Sequence, residues 1–247
     1  MIHLLLVMTP AGPLPELRDP ATFSALYHVP PGSTGPMPLL LYLHGAGESG
    51  SDVRGLISEG ATGTPPVELE QGRALPVLAK RFVVVAPQTN HGWDEREIGR
   101  FLDFLLDSPK SGLPAIDPKR CYVTGHSMGG YGALAAATLT NADASYRFAA
   151  VVPVAPAGSP SAEAVRGVPT WAFHGSNDVV CPSAVSEGLV ARLKALGVND
   201  SEAKLTLYPS APAPKGWPGY DGHGSTIPAY ATPALYRWLL ERSSGIG

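Results

Sequence analysis

Residues 121–132, Cys-Tyr-Val-Thr-Gly-His-Ser-Met-Gly-Gly-Tyr-Gly, constrain the fold more than any other stretch of this chain. The segment 120–124 is β-prone and mostly apolar, whereas 131–140 is rich in alanine and leucine, so Gly-x-Ser-x-Gly sits where a strand turns into a helix. A side chain on such a turn must adopt a strained backbone while strand and helix pass close together. Gly125 and Gly129 remove the Cβ atoms that would clash, which makes Ser127 the expected nucleophile.

Apolar β-rich runs recur at 22–29, 38–43, 82–86, 121–124, 149–154, 170–173 and 204–208. Several are almost continuously apolar, as strands buried on both faces must be. Helical spacing falls between them at 95–106, 128–139, 183–196 and 232–242. Alternating strands and helices predict a mostly parallel, doubly wound α/β sheet with helices on both faces. No internal repeat or linker divides the 247 residues, so one domain over 1–247 is expected. The N-terminal run 1–8 is apolar but lacks a preceding Lys or Arg and reads as an edge strand; with only a weak cleavage pattern at 9–11, the expected location is cytoplasmic. The irregular stretch 209–222 is too long for a routine connection and reads as a loop over a site.

Composition narrows the partners. A formal charge of -3 and no cluster of Lys and Arg argue against nucleic acid, and no apolar run is long enough to span a membrane. Two cysteines make no disulfide framework; Cys121 reads as a small buried residue, and Cys181, in the loop after Asp178, as loop filler or else a neighbour of the site.

Serine is a poor nucleophile unless a base takes its proton and a third group orients that base. Residues 171–178, Trp-Ala-Phe-His-Gly-Ser-Asn-Asp, run from a strand into a glycine turn and deliver Asp178 to the sheet edge where such sites collect. Asp143, Asp200 and Asp221 are less well placed as the acid. Among the 7 histidines only His223, in Gly-His-Gly, follows the last strand and precedes the final helix. His3 and His28 belong to N-terminal strands, His91 to a loop, and His126 cannot reach its neighbouring serine. His44 and His174 read as structural hydrogen-bonders. No histidine pair has helical metal-ligand spacing, so no metal site is expected. For the oxyanion, the N–H of Met128 and that of Ala46, in the glycine-rich turn after strand 38–43, are the expected donors.

These pieces resemble the serine esterases of the α/β-hydrolase superfamily, close to the compact dienelactone-hydrolase, carboxylesterase and predicted-peptidase groups. The resemblance rests on Leu43-His44-Gly45-Ala46-Gly47-Glu48 with Gly50-Ser51-Asp52, on Ala86-Pro87-Gln88 followed by Trp93, on the elbow, on His174-Gly175 through Asp178, and on His223 ahead of Tyr230 and 236–240. It departs after His223, where Gly224-Ser225-Thr226 stand in place of a nearby aromatic. The resemblance implies a single α/β-hydrolase domain, an acyl-enzyme on Ser127 and no cofactor.

Only a short connection follows the strand at 149–154, so no large cap domain is expected. Trp93, Met128, Trp217 and Tyr220 are the expected walls of a small, open pocket for a small-molecule ester, short-chain or aromatic. Two further readings stand beside the carboxylesterase: a serine peptidase or acyl-peptide hydrolase using the same triad, and a catalytically silent binding protein on the same fold.

Overall fold

The computed structural model describes residues 12–139 and 148–245. The run 1–8, read above as an edge strand, lies outside the described residues. Eight strands form one sheet: β1 Glu16–Arg18, β2 Ser24–His28, β3 Met37–Leu43, β4 Val83–Gln88, β5 Ile116–His126, β6 Ala150–Val154, β7 Thr170–Gly175 and β8 Ala203–Tyr208. Their order is β1-β2-β4-β3-β5-β6-β7-β8, with β1 and β2 antiparallel to their neighbours and every pairing from β4 to β8 parallel.

The helices are α1 Pro65–Glu70, α2 Pro76–Arg81, α3 Glu95–Leu106, α4 Ser108–Ser111, α5 Met128–Thr138, α6 Ala162–Val165, α7 Ala184–Ala195, α8 Thr226–Tyr230 and α9 Pro233–Leu240. Side chains alternate across a strand, so each strand feeds two cores. Leu39, Leu41 and Leu43 of β3 join Ile98, Phe101 and Leu105 of α3, Leu134 of α5 and Leu193 of α7 on one face. Leu40 and Tyr42 point the other way, to Leu78 of α2 and to Leu235, Tyr236, Trp238 and Leu239 of α9. The sheet is therefore buried on both faces, which is why β3, β4 and β6 read as continuous apolar runs.

Two expectations needed adjustment. The strand expected at 121–124 is the last part of the eleven-residue β5, whose start at Ile116 pairs with Met37 before a shift of register and carries the polar Asp117, Lys119 and Arg120. The short helices α1 and α2 were not expected; each opens on proline, which tolerates the first helical turn because the N–H it lacks has no partner there. Between β6 and β7 the only helix is the four-residue α6, so no large cap covers the sheet edge.

Candidate active site

Strand β5 pairs with β3 on one side and β6 on the other, with Gly125 opposite Leu43 and Pro153. At its end Ser127 has φ 56 and ψ -117, a left-handed conformation that L-residues avoid, and α5 begins at the next residue. A Cβ on Gly125 would stand 2.2 Å from the Gly129 carbonyl oxygen, and one on Gly129 would stand 2.0 Å from that of Leu43. Hydrogen bonds hold the strained turn: the Ser127 N–H donates to Val154 O at 3.0 Å, and its carbonyl accepts from the N–H groups of Tyr131 at 3.1 Å and Ala157 at 3.0 Å. The serine thus stands at the carboxyl edge of the central strands, at a helix N-terminus whose first N–H groups have no intrahelical partner.

Asp178 follows β7 and is held by its own loop: Oδ1 accepts the N–H groups of Val180 and Cys181, each at 2.9 Å. Its Oδ2 lies 2.8 Å from His223 Nδ1 and 3.4 Å from His174 Nε2. Burial would raise this carboxyl, yet the hydrogen bonds from His174, His223 and the Cys181 N–H outweigh it and hold the group well below the usual carboxylate range. An ionised carboxylate only accepts, so His223 carries its proton on Nδ1 and keeps Nε2 free as a base. Gly222, at φ +81, lets the 209–222 loop lie against this turn, since a Cβ there would be 2.3 Å from Asn177 C and Asp178 N. His126 steadies the same loop, its Nε2 donating to the carbonyl of His223 at 2.8 Å. Burial, aided by His223, pushes His126 down to about 3, so it stays neutral.

Ser127 and His223 share one cleft of about 350 Å³, lined by Gly45, Ala46, Gly47, Glu48 and His126 and by Val180, Pro214, Trp217 and Tyr220. Trp217 and Tyr220 are 47% and 41% exposed, an apolar rim with ring centroids 5.1 Å apart. The structure brings neither Trp93 nor the Met128 side chain to this cleft. Trp93 is buried in the core under β3, where its Nε1 donates to His44 O at 3.0 Å and its ring meets those of Phe23 and His44. Met128 packs its side chain on the same core, leaving only its backbone at the elbow. An aromatic near a helix start looks alike in sequence whether it faces core or cleft.

Comparison with known proteins gives the same picture. The family model for PET hydrolase-like proteins matches residues 76–190, a span that contains the elbow and Asp178. A thermostable esterase of known structure superposes with a TM-score of 0.69 at 28% identity, covering 94% of this chain and 63% of its own. The chain has the α/β-hydrolase fold, and the proteins it resembles are esterases and PET hydrolase-like proteins. It spans less than two thirds of that esterase's length. The chain also shares its fold with esterase PE8, with a TM-score of 0.54 and 19% identity over 85% of this chain and 97% of the other. The acylaminoacyl peptidase of Pyrococcus horikoshii matches with a TM-score of 0.61 and 14% identity over 92% of this chain and 41% of the peptidase. No curated protein matches the sequence.

Three groups of the candidate site have contacts that sequence reasoning did not assign. Cys181 is not loop filler: its Sγ stands 3.9 Å from Ser127 Oγ, its N–H binds Asp178, and its carbonyl accepts from His174 Nε2 at 2.9 Å. His174 does bond structurally, taking the Ser186 hydroxyl on Nδ1 at 2.8 Å, but its other nitrogen faces Asp178. The spacing of His174 and Asp178 around a tight turn was the available signal. Glu48, quoted only within a glycine-rich motif, lines the cleft, and burial pushes its carboxyl up to about 7. Among the described residues no group of three or more His, Cys, Asp or Glu is arranged to hold a metal ion, and no helix is long and apolar enough to cross a membrane.

Proposed function

We propose that the hydrolase cleaves carboxylic esters with Ser127 as nucleophile, His223 as general base and Asp178 as the group that orients and stabilises the imidazole. The observation that carries this reading is the 2.8 Å contact from His223 Nδ1 to the depressed Asp178 carboxylate, with Ser127 on the same cleft. Ser127 Oγ attacks the ester carbonyl while its proton passes to His223 Nε2. The oxyanion forms between the backbone N–H groups of Ala46 and Met128, the first on the loop after β3 and the second at the start of α5. His223 then returns the proton to the departing alcohol, leaving an acyl group on Ser127. Water gives its proton to His223, attacks the acyl carbonyl, and releases the acid and the free serine.

Cleft size sets the expected substrates. About 350 Å³ walled by Val180, Trp217 and Tyr220 suits short acyl chains or aromatic rings, which flat exposed side chains can cover without a cap. The test is release of p-nitrophenol from acetate, butyrate, octanoate and palmitate esters by the intact protein and by Ser127→Ala. Rates that fall with chain length and vanish in the variant support the reading. Turnover that persists in Ser127→Ala rejects the nucleophile, and rates that rise toward palmitate reject the short-chain pocket.

A further inference from the structure

The cleft residues on and beside the loop after β3 are chemically unlike its aromatic ones, Trp217 and Tyr220. No lysine or arginine lines the cleft among the described residues, and Glu48 is its only carboxylic acid. Lys215, on the loop above, is engaged with Glu59 at 2.9 Å. The Glu48 carboxyl takes hydrogen bonds only from the backbone of Gly45 and of Glu48 itself, and its own carbonyl accepts from Gln88 Nε2 at 2.9 Å. It therefore enters the cleft with no cationic partner.

Beside it stands a second acceptor. His126 Nε2 gives its proton to the His223 carbonyl, which can only accept, so Nδ1 holds a lone pair. That Nδ1 and Glu48 Oε2 lie 3.4 and 3.3 Å from the position a Cβ on Gly45 would occupy, so the two atoms pack close together beside this glycine, and all three residues line the cleft. Burial keeps His126 neutral, and it stays an acceptor through the working range of pH. Above about pH 7, where Glu48 is ionised, two acceptors with no donor between them are satisfied by a group that brings protons.

We infer that Glu48 and His126 Nδ1 form a specificity subsite beside Ser127 that accepts a hydrogen-bond-donating substrate group, an ammonium in preference to a hydroxyl, and rejects a carboxylate. Esters of small amino acids carrying a free amine are the substrate class this chemistry selects. The inference rests on the esterase reading and deepens it. An ammonium supplies both acceptors with protons and neutralises Glu48, whereas a carboxylate meets two lone pairs and a like charge.

The test compares ethyl butyrate, ethyl 3-hydroxypropanoate, ethyl 3-aminopropanoate and monoethyl succinate, which have similar length, with wild type and Glu48→Gln at pH 8. Each kcat/KM is divided by that for butyrate in the same protein, so a general loss and the intrinsic reactivity of each ester both cancel between proteins. The expected result is an amino-to-butyrate ratio about tenfold higher in wild type than in Glu48→Gln, with the succinate ratio moving the opposite way. Equal ratios in the two proteins overturn the subsite while leaving the esterase intact. Failure to hydrolyse any of the four esters overturns the esterase reading, and the subsite with it. If Glu48→Gln is inactive on butyrate, inhibition of wild type decides: propylammonium binding no tighter than 1-propanol overturns the subsite.

Discussion

One oxygen of Asp178 serves two histidines: Oδ2 lies 2.8 Å from His223 Nδ1 and 3.4 Å from His174 Nε2, while Oδ1 takes two backbone N–H groups. The carboxylate is thus fully engaged on every side. His174 in turn is pinned by Ser186 and by the Cys181 carbonyl, which fixes the position from which Asp178 reaches His223.

Asp178→Asn offers a donor where His223 also donates, which favours the wrong tautomer, and kcat is expected to fall by about 10⁴-fold with KM little changed. The same substitution has a stability signature. The native carboxyl lies below its ordinary value of about 3.9, so its contribution is present above that pH and lost as pH falls further. Urea unfolding of wild type and Asp178→Asn should differ most near neutral pH and converge as the solution is acidified below about pH 4. A gap that stays constant down to acid pH contradicts the depressed carboxyl.

The thiols give a second measurement. Cys121 and Cys181 are both buried, and burial raises both thiols, Cys121 to about 12. Only thiolate reacts with disulfide reagents, so the native protein should leave both cysteines unmodified over the minutes in which free cysteine reacts fully. Unfolding in guanidinium should release two thiols per chain. Rapid native labelling that abolishes activity would place Cys181 in contact with solvent, against its 6% exposure.

Much of this arrangement was readable before any coordinates. Buried parallel strands announce themselves because both faces are apolar, and α3 because Ile98, Phe101, Leu102 and Leu105 repeat at helical spacing. Ser127 was legible because steric demand leaves a pattern in the flanking glycines. Walls were not. Trp93 and Trp217 carry the same chemistry, and only tertiary packing puts one under β3 and the other on the rim. Cys181 and Glu48 reach the site through loop and turn geometry, which no period in the sequence encodes.

An elbow glycine and a helix glycine should respond in opposite ways to alanine. Gly129→Ala drives a Cβ to 2.0 Å from a carbonyl oxygen in the central strand β3, which cannot withdraw, so a loss of about 3 kcal/mol or more is expected. Gly188 lies on the exposed side of α7 with nothing within 4 Å of an added Cβ. Gly188→Ala should stabilise by about 0.5 to 1 kcal/mol because alanine loses less backbone entropy in a helix. Chemical denaturation of both variants checks the pair, and a Gly129→Ala protein as stable as wild type would refute the tight crossing of β3 and α5.

The aromatic rim makes the last prediction. Trp217 lies on a loop held by Lys215 to Glu59 at 2.9 Å and by Asn177 Nδ2 to Ala211 O at 3.0 Å, and its Nε1 edge lies against Gly60. It is nonetheless 47% exposed, and little of the fold depends on its burial. Trp217→Ala should therefore leave the melting temperature within a few degrees of wild type. Its effect should appear in binding. Loss of a flat apolar wall costs on the order of 1 kcal/mol for a substrate ring that packs against it and much less for an acetyl group that does not reach it. KM for phenyl benzoate is then expected to rise about fivefold while KM for ethyl acetate stays near its wild-type value. The contrast separates a wall from a catalytic group, because removal of a residue that acts on the reacting atoms lowers kcat for both esters alike. Equal losses on the two esters would reject Trp217 as a wall of the acyl or alcohol pocket.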